Sequence, residues 1–375
     1  MKLLKILNSN DEGGVLQAET QYLKEFRNQG IEIYSVIVGN GRNKELYESL
    51  SDFSVILPET DLSIKGNPLQ KLKSILFLKK WAKSAVKTIP DEIKNQSYSG
   101  IIFGRIGLMF LSYYLSKENK AKSYYYMHGK ISDSKSLAVY NFLFKTLAIT
   151  VISNSRYTMQ SFKNHCQFYF YPGYDKTRIA QCYKGKTFRN EYGIVEDTLV
   201  FGIAGRICDF KAQDWITKIL MSEKFNNENV VLLVAGIVQD EIVLERIKQY
   251  AGSNFGKKII YVGNLSEMSK FYASINVLIN SGKGPESFGI SVVEARASGL
   301  PIIASNVGGT AETVQDGYNG WSFQGFTFDS YEEVFNRVFK QKNKIEEYGK
   351  NSLKDIDKFT AKTNVEQFVK LLKSK

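Results

Sequence analysis

Residues 277–312 read VLINSGKGPESFGISVVEARASGLPIIASNVGGTAE. Val277–Asn280 is a short apolar run of the kind that forms a strand buried on both faces, and Pro285-Glu286-Ser287-Phe288-Gly289 is the loop that follows it. Ile290–Ser298, with its small residues, reads as a helix that stops at Ser298-Gly299. Pro301–Ala304 is a second buried strand, and Gly308-Gly309 is the turn after it, with Thr310–Val314 expected to begin another helix and Gly317 and Gly320 to form a further turn. Strand, helix and strand in so short a span make one βαβ unit of a parallel sheet.

The same alternation extends outward from this unit. Thr198–Ala204, Val230–Ala235 and Lys258–Val262 are earlier strands of the same series. A polar, basic stretch from Tyr183 to Tyr192 interrupts the pattern, and before it lies a second series: Leu3–Leu7, Ile31–Ile37, Phe53–Leu57, Gly100–Phe103, Ser123–Met127, Ile149–Ser153 and Gln167–Tyr171. Helical patterns such as Val15–Gln29 and Leu69–Thr88 separate those strands. The fold class expected is α/β, with two Rossmann-like, doubly wound parallel-sheet domains at 1–180 and 195–350 facing each other across a cleft. A C-terminal helical segment, 351–375, is expected to pack back on the first domain.

Composition narrows the partners. At 375 residues, 43% hydrophobic, the chain can fill two cores, which excludes disorder. Cys166, Cys182 and Cys208 show no metal-ligand or disulfide spacing, and a reducing compartment suits them. The N-terminal MKLLKILNSNDEGG reads as a first strand rather than a signal peptide, and no run is long and apolar enough to span a membrane, so a cytoplasmic location is expected. The net charge of +12 favours an anionic partner: nucleic acid, an acidic lipid surface or a phosphorylated ligand.

The nucleotide chemistry can be narrowed further. The first strand is followed by Asn8-Ser-Asn-Asp-Glu-Gly13-Gly14 rather than G-x-G-x-x-G, and G-x-x-x-x-G-K-[ST] occurs nowhere, which argues against dinucleotide redox chemistry and a P-loop. Arg206, at a strand end, and Lys211, at the start of the next helical segment, can clamp a diphosphate, Arg as a planar fork and Lys as a point charge; Gly205-Arg206 alone reads more readily as a solvated loop with incidental charges. Glu286 in a loop and Glu294 about two turns into a helix can face one side of a cleft and hold sugar or ribose hydroxyls, or else cap a helix and sit on the surface. The helix start around Ser287, Phe288 and Gly289 favours an anion by ~0.3–1 kcal/mol.

In register over Val200–Trp321, G-R-x4-K at Gly205–Lys211, P-E-S-F-G-I with E-x7-E at Glu286–Glu294, and S-G-L-P-I-I-A-S-x-V-G-G-x-x-E ending at Glu312 resemble the retaining glycosyltransferases of family 4. The resemblance implies the GT-B fold and transfer of a sugar from a nucleotide-sugar, UDP- or GDP-linked, to a saccharide or lipid-linked saccharide in cell-surface polysaccharide, O-antigen or glycolipid assembly. It implies that Arg206 and Lys211 bind the donor diphosphate and that Glu286 contacts donor-sugar hydroxyls. Ser287, Phe288 and Gly289 then present backbone N–H groups to the donor, Glu294 holds the ribose, and neither metal nor cofactor is needed. Gly13-Gly14 resembles the family's glycine loop, and His128, at a strand end in Tyr126-Met-His-Gly129, matches the histidine that the family often has beside the donor sugar. His165, Arg105, Asp11 and Glu12 read as surface or solvated-loop groups instead.

Between Asp61 and Asp91 the chain has lysines but no acidic residue, and segment 65–87 interleaves them with an apolar stripe, Phe77 and Trp81. Such a helix can lie on an anionic membrane or pack on a domain with its lysines solvated. No nucleic-acid motif accompanies it, so nucleic acid is not an expected partner. A sugar phosphorylase, a nucleotide-sugar hydrolase and a non-catalytic subunit of the same fold are the rival readings.

Overall fold

The structure, a computed structural model, describes residues 1–131, 133–162 and 166–373; His165 lies outside the described residues. The chain divides into two units, Met1–Gly173 with Thr360–Lys375, and Tyr174–Phe359.

The first unit is built on β1 (Lys2–Asn8), β2 (Glu32–Val38), β3 (Phe53–Leu57), β4 (Gly100–Phe103), β5 (Ser123–Met127), β6 (Ile149–Ser153) and β7 (Cys166–Tyr169). They form one sheet in the order β3-β2-β1-β4-β5-β6-β7 with every pairing parallel. Alternate residues of these strands point to opposite faces, and each face has its own helices. Leu4, Ile6, Phe103, Tyr125 and Val151 pack under helices Pro68–Thr88, Met109–Asn119 and Ser134–Thr146. Leu3, Ile33, Tyr124 and Ile152 pack under Gly13–Asn28 and the terminal helix Ala361–Lys373. Phe368 of that last helix stacks on Phe170 and meets the rings of Phe26 and Tyr124.

The second unit repeats the plan with β8 (Leu199–Ala204), β9 (Val230–Ala235), β10 (Ile259–Gly263), β11 (Val277–Asn280), β12 (Ile302–Ser305) and β13 (Gly320–Phe323), in the order β10-β9-β8-β11-β12-β13, all parallel. In both sheets the order reverses beside the first strand, and an α/β sheet opens a crevice for ligands outside its strand carboxyl ends at such a point.

Several boundaries differ from those expected. The first unit ends at Gly173 and the second begins at Tyr174. The basic stretch at 183–192 is part of the second unit because Phe188 is buried against that unit's sheet. Residues 351–359 also stay with the second unit, anchored by buried Ser352 and Phe359, and Thr360 returns to the first. Gly320 is not a turn residue: it opens β13, so close to β12 that a Cβ there would lie 2.0 Å from the Ile302 carbonyl oxygen. The helix expected from Thr310 is one 3-10 turn, Gly309–Glu312, because Asn319 Oδ1 accepts from Gln315 N at 2.7 Å and its Nδ2 donates to Thr313 O at 3.1 Å, diverting the chain into a turn.

Candidate active site

In the second unit the signature residues stand on the loops that leave β8, β11 and β12. Arg206 and Lys211 lie on one loop; the chain ends its 3-10 turn at Lys211 and passes through Ala212 at φ 51°, a left-handed conformation costly for a residue with a Cβ. Ser281 Oγ donates to the Lys211 carbonyl at 2.5 Å, tying this loop to the one after β11. Lys211 Nζ donates to Glu286 Oε2 at 2.5 Å, and both side chains are part-buried. Arg206 is exposed, and its guanidinium donates to Gln239 Oε1 at 2.8 Å, on the loop after β9. The structure thus brings Lys211 and Glu286 together and holds Arg206 on a separate partner.

The two glycines after β12 shape this loop cluster. Gly309 N donates to Glu286 O at 2.7 Å, and Glu286 and Gly308 form a parallel bridge. A Cβ on Gly308 would lie 2.6 Å from Glu286 O, and one on Gly309 would lie 2.1 Å from Ser287 O. The turn formed by these glycines therefore lies in close approach to the backbone that carries Glu286. Phe288 is buried against Phe359, which fixes the other end of the loop. Gly289, at φ 91°, caps the helix Ile290–Ala297.

Glu294 is not a surface residue. It is 2% exposed, accepting from Arg178 Nε at 2.8 Å and from the Tyr272 hydroxyl at 2.8 Å. Burial raises its carboxyl above the ordinary range against the pull of Arg178 and Tyr272. Burial and the adjacent carboxylate push the Tyr272 hydroxyl far up, so it stays a donor. Neither Arg178 nor Tyr272 was foreseen, since each is distant in sequence from Glu294.

In the first unit Gly13 opens its helix at φ 55°, a conformation suited to glycine, with Gly14 exposed beside it. The loop acids differ from the expectation. Asp11 is 3% exposed, accepting from Arg105 Nε at 2.7 Å, so it is not a solvated loop acid, and Arg105 is paired while its side chain stays partly exposed. Burial lifts the Asp11 carboxyl, and Arg105 opposes that rise. Glu12 is exposed and paired with Arg42.

His128 follows β5, with Nε2 3.3 Å from Glu19 Oε1, its ring edge-on to Tyr126, and its carbonyl accepting from Asn154 Nδ2 at 2.9 Å. Glu19 is itself buried and accepts from Lys5 Nζ at 2.5 Å. Burial pushes the Glu19 carboxyl up, but the Lys5 ammonium and the His128 ring outweigh it and hold it at about 2. The chain Lys5–Glu19–His128 was not anticipated. Its one sequence signal is a lysine inside the apolar run of β1, where an unpaired charge is too costly to bury.

Two Rossmann-like units in succession define the GT-B class of α/β fold. Residues 185–355, which lie within the second unit, match the family model "Glycosyl transferases group 1". Over 197 residues the chain is 24% identical to D-inositol 3-phosphate glycosyltransferase 2 of Catenulispora acidiphila, covering 50% of this chain and 46% of that protein. Over 167 residues it is 27% identical to the capsular polysaccharide biosynthesis glycosyltransferase CapM of Staphylococcus aureus, covering 44% and 43%. The matches thus span under half the length of these curated relatives. Among solved structures, Anabaena HepE in complex with UDP and glucose superposes over 100% of both chains with a TM-score of 0.77 at 19% identity. WaaG, a glycosyltransferase involved in lipopolysaccharide biosynthesis, does so over 100% of both with a TM-score of 0.68 at 14% identity. Among the described residues no helix is long and apolar enough to cross a membrane, and no group of three or more His, Cys, Asp or Glu is placed to hold a metal ion.

Proposed function

We propose that this chain is a retaining, metal-independent glycosyltransferase of family 4 type that moves a sugar from a UDP-sugar to a saccharide or lipid-linked saccharide acceptor. The observation that carries this reading is the Lys211–Glu286 ion pair at the strand reversal of the second sheet, with Arg206 on the same loop as Lys211. A cation and a carboxylate at one crevice suit the two ends of a nucleotide-sugar: Lys211 and Arg206 the diphosphate, Glu286 the sugar hydroxyls. The pair keeps both side chains in place until the donor divides them. Ser287, Phe288 and Gly289 supply backbone at the helix start, and Glu294, steadied by Arg178, holds the ribose. Gly13-Gly14 and His128 act at the sugar and acceptor side.

In the step itself the acceptor oxygen bonds the anomeric carbon on the face that the diphosphate leaves. The bond from that carbon to the diphosphate oxygen breaks, and the acceptor proton passes to the departing oxygen. Arg206 and Lys211 stabilise the charge on the leaving group, the part a divalent ion plays elsewhere. UDP as the nucleotide draws support from the complex of the Anabaena neighbour with UDP and glucose, and a cell-surface glycan as acceptor from the names of CapM and WaaG.

The test is transfer from UDP-glucose and related donors in EDTA, with the product's anomeric configuration read by NMR. A product that keeps the donor's configuration, with kcat lowered about 10²–10³-fold in Lys211→Ala or Glu286→Ala at unchanged melting temperature, is the expected result. Release of free sugar alone, an inverted product, or near-wild-type turnover in either variant contradicts the reading.

A further inference from the structure

The helix Pro68–Thr88 begins at a full capping box: Asn67 accepts from Gln70 N and donates its own N–H to the Gln70 side chain, with Pro68 in the first turn. Leu78, Ala82, Ala85 and Val86 bury one face of it on the first unit. The opposite face is exposed along its length, with Lys73 among the apolar residues of its first turns. Its first turns expose Leu69, Leu72, Leu76 and Phe77, Leu76 by 57%. Its later turns expose Lys79, Lys80, Lys83 and Lys87.

A second helix repeats the composition. Ser134–Thr146 exposes Val139 and Phe142, the latter by 69%, between Lys135 and Lys145. Both helices cover the same face of the seven-stranded sheet. Lys71 joins their first turns, donating to Asp133 Oδ2 at 2.8 Å and to Ser136 Oγ at 2.6 Å. Neither helix contains an Asp or Glu.

We infer that this outer face is a docking surface for an anionic lipid bilayer, with the leucines and phenylalanines entering the headgroup boundary and the lysines resting on lipid phosphates. Six large apolar side chains held in water gain by moving into an apolar boundary, and lysines near an anionic surface gain by charge. Charge decides against the other occupants. A second copy of this face would bring lysine against lysine. A nucleic acid would engage the lysines but leave the leucines in water. The inference needs neither donor nor turnover, so it stands apart from the sugar-transfer reading.

Co-sedimentation of the full chain with vesicles tests it, comparing phosphatidylcholine alone with equal parts of phosphatidylcholine and phosphatidylglycerol. Binding to the anionic vesicles only, weakened by salt, is expected. It should fall on the order of a hundredfold in Lys79→Glu/Lys80→Glu/Lys83→Glu, and about tenfold or more in Leu72→Glu/Leu76→Glu. All five side chains are exposed, so melting temperatures should not move. Equal binding to both vesicle types, or anionic binding unchanged by the leucine substitutions, would falsify the proposed surface. Lipid-free self-association lost in the leucine variant would assign the face to a second copy instead.

Discussion

Two buried carboxylates respond to their surroundings in opposite directions. Glu19 and Glu294 are both enclosed, yet Glu19, between Lys5 and His128, is held at about 2, whereas Glu294, against Arg178 and Tyr272, is raised. A depressed carboxyl contributes stability above its unfolded value and loses it as pH falls through its folded value. With 4.5 as the ordinary value, the contribution of Glu19 is complete above that pH and fades between 4.5 and about 2. Glu19→Gln leaves Lys5 buried with no charged partner there, an arrangement that costs about 3–5 kcal/mol. In urea unfolding the gap between wild type and variant should be widest near neutral pH and narrow across that acid window. A gap independent of pH would mean that the Lys5–Glu19 pair is not ionised in the folded protein.

At the scale of elements, the loop carrying Glu286 is positioned by the turn after β12. Gly309→Ala places a Cβ 2.1 Å from the Ser287 carbonyl oxygen, backbone that cannot rotate away. The overlap should cost about 1–3 kcal/mol in thermal unfolding and weaken nucleotide binding with it; full stability and full binding together would contradict this account of the turn. The elements were legible in the sequence to different degrees. Twelve strands announced themselves as apolar runs, but β13 did not, because Gly320 at its head carries a turn signature and only the tight pairing with Ile302 makes it a strand. The loops bearing Arg206, Lys211 and Glu286 were legible because each follows such a run. The partners were not: Gln239 reaches Arg206, and Arg178 and Tyr272 reach Glu294, from other elements, and local sequence carries no record of that convergence.

At the scale of the whole molecule, the chain begins the first unit, builds the second from Tyr174 to Phe359, and returns to finish the first with its last helix. Phe368 fills a site made by Phe26, Tyr124 and Phe170, so the first unit's core is incomplete until the terminal residues arrive. Phe368→Ala should cost that unit about 3–5 kcal/mol in urea; a loss below about 1 kcal/mol would show that the helix is an accessory rather than part of the core. Arg206, Lys211 and Glu286 stand in the second unit, on the loops that follow β8 and β11, where the strand order reverses. Isothermal titration of EDTA-treated protein with UDP tests their proposed role most directly. Saturable binding to wild type, unchanged by added magnesium and reduced at least about tenfold in Lys211→Ala, is the result predicted. Binding that requires the metal, or that survives Lys211→Ala undiminished, would contradict a metal-free diphosphate site at these residues.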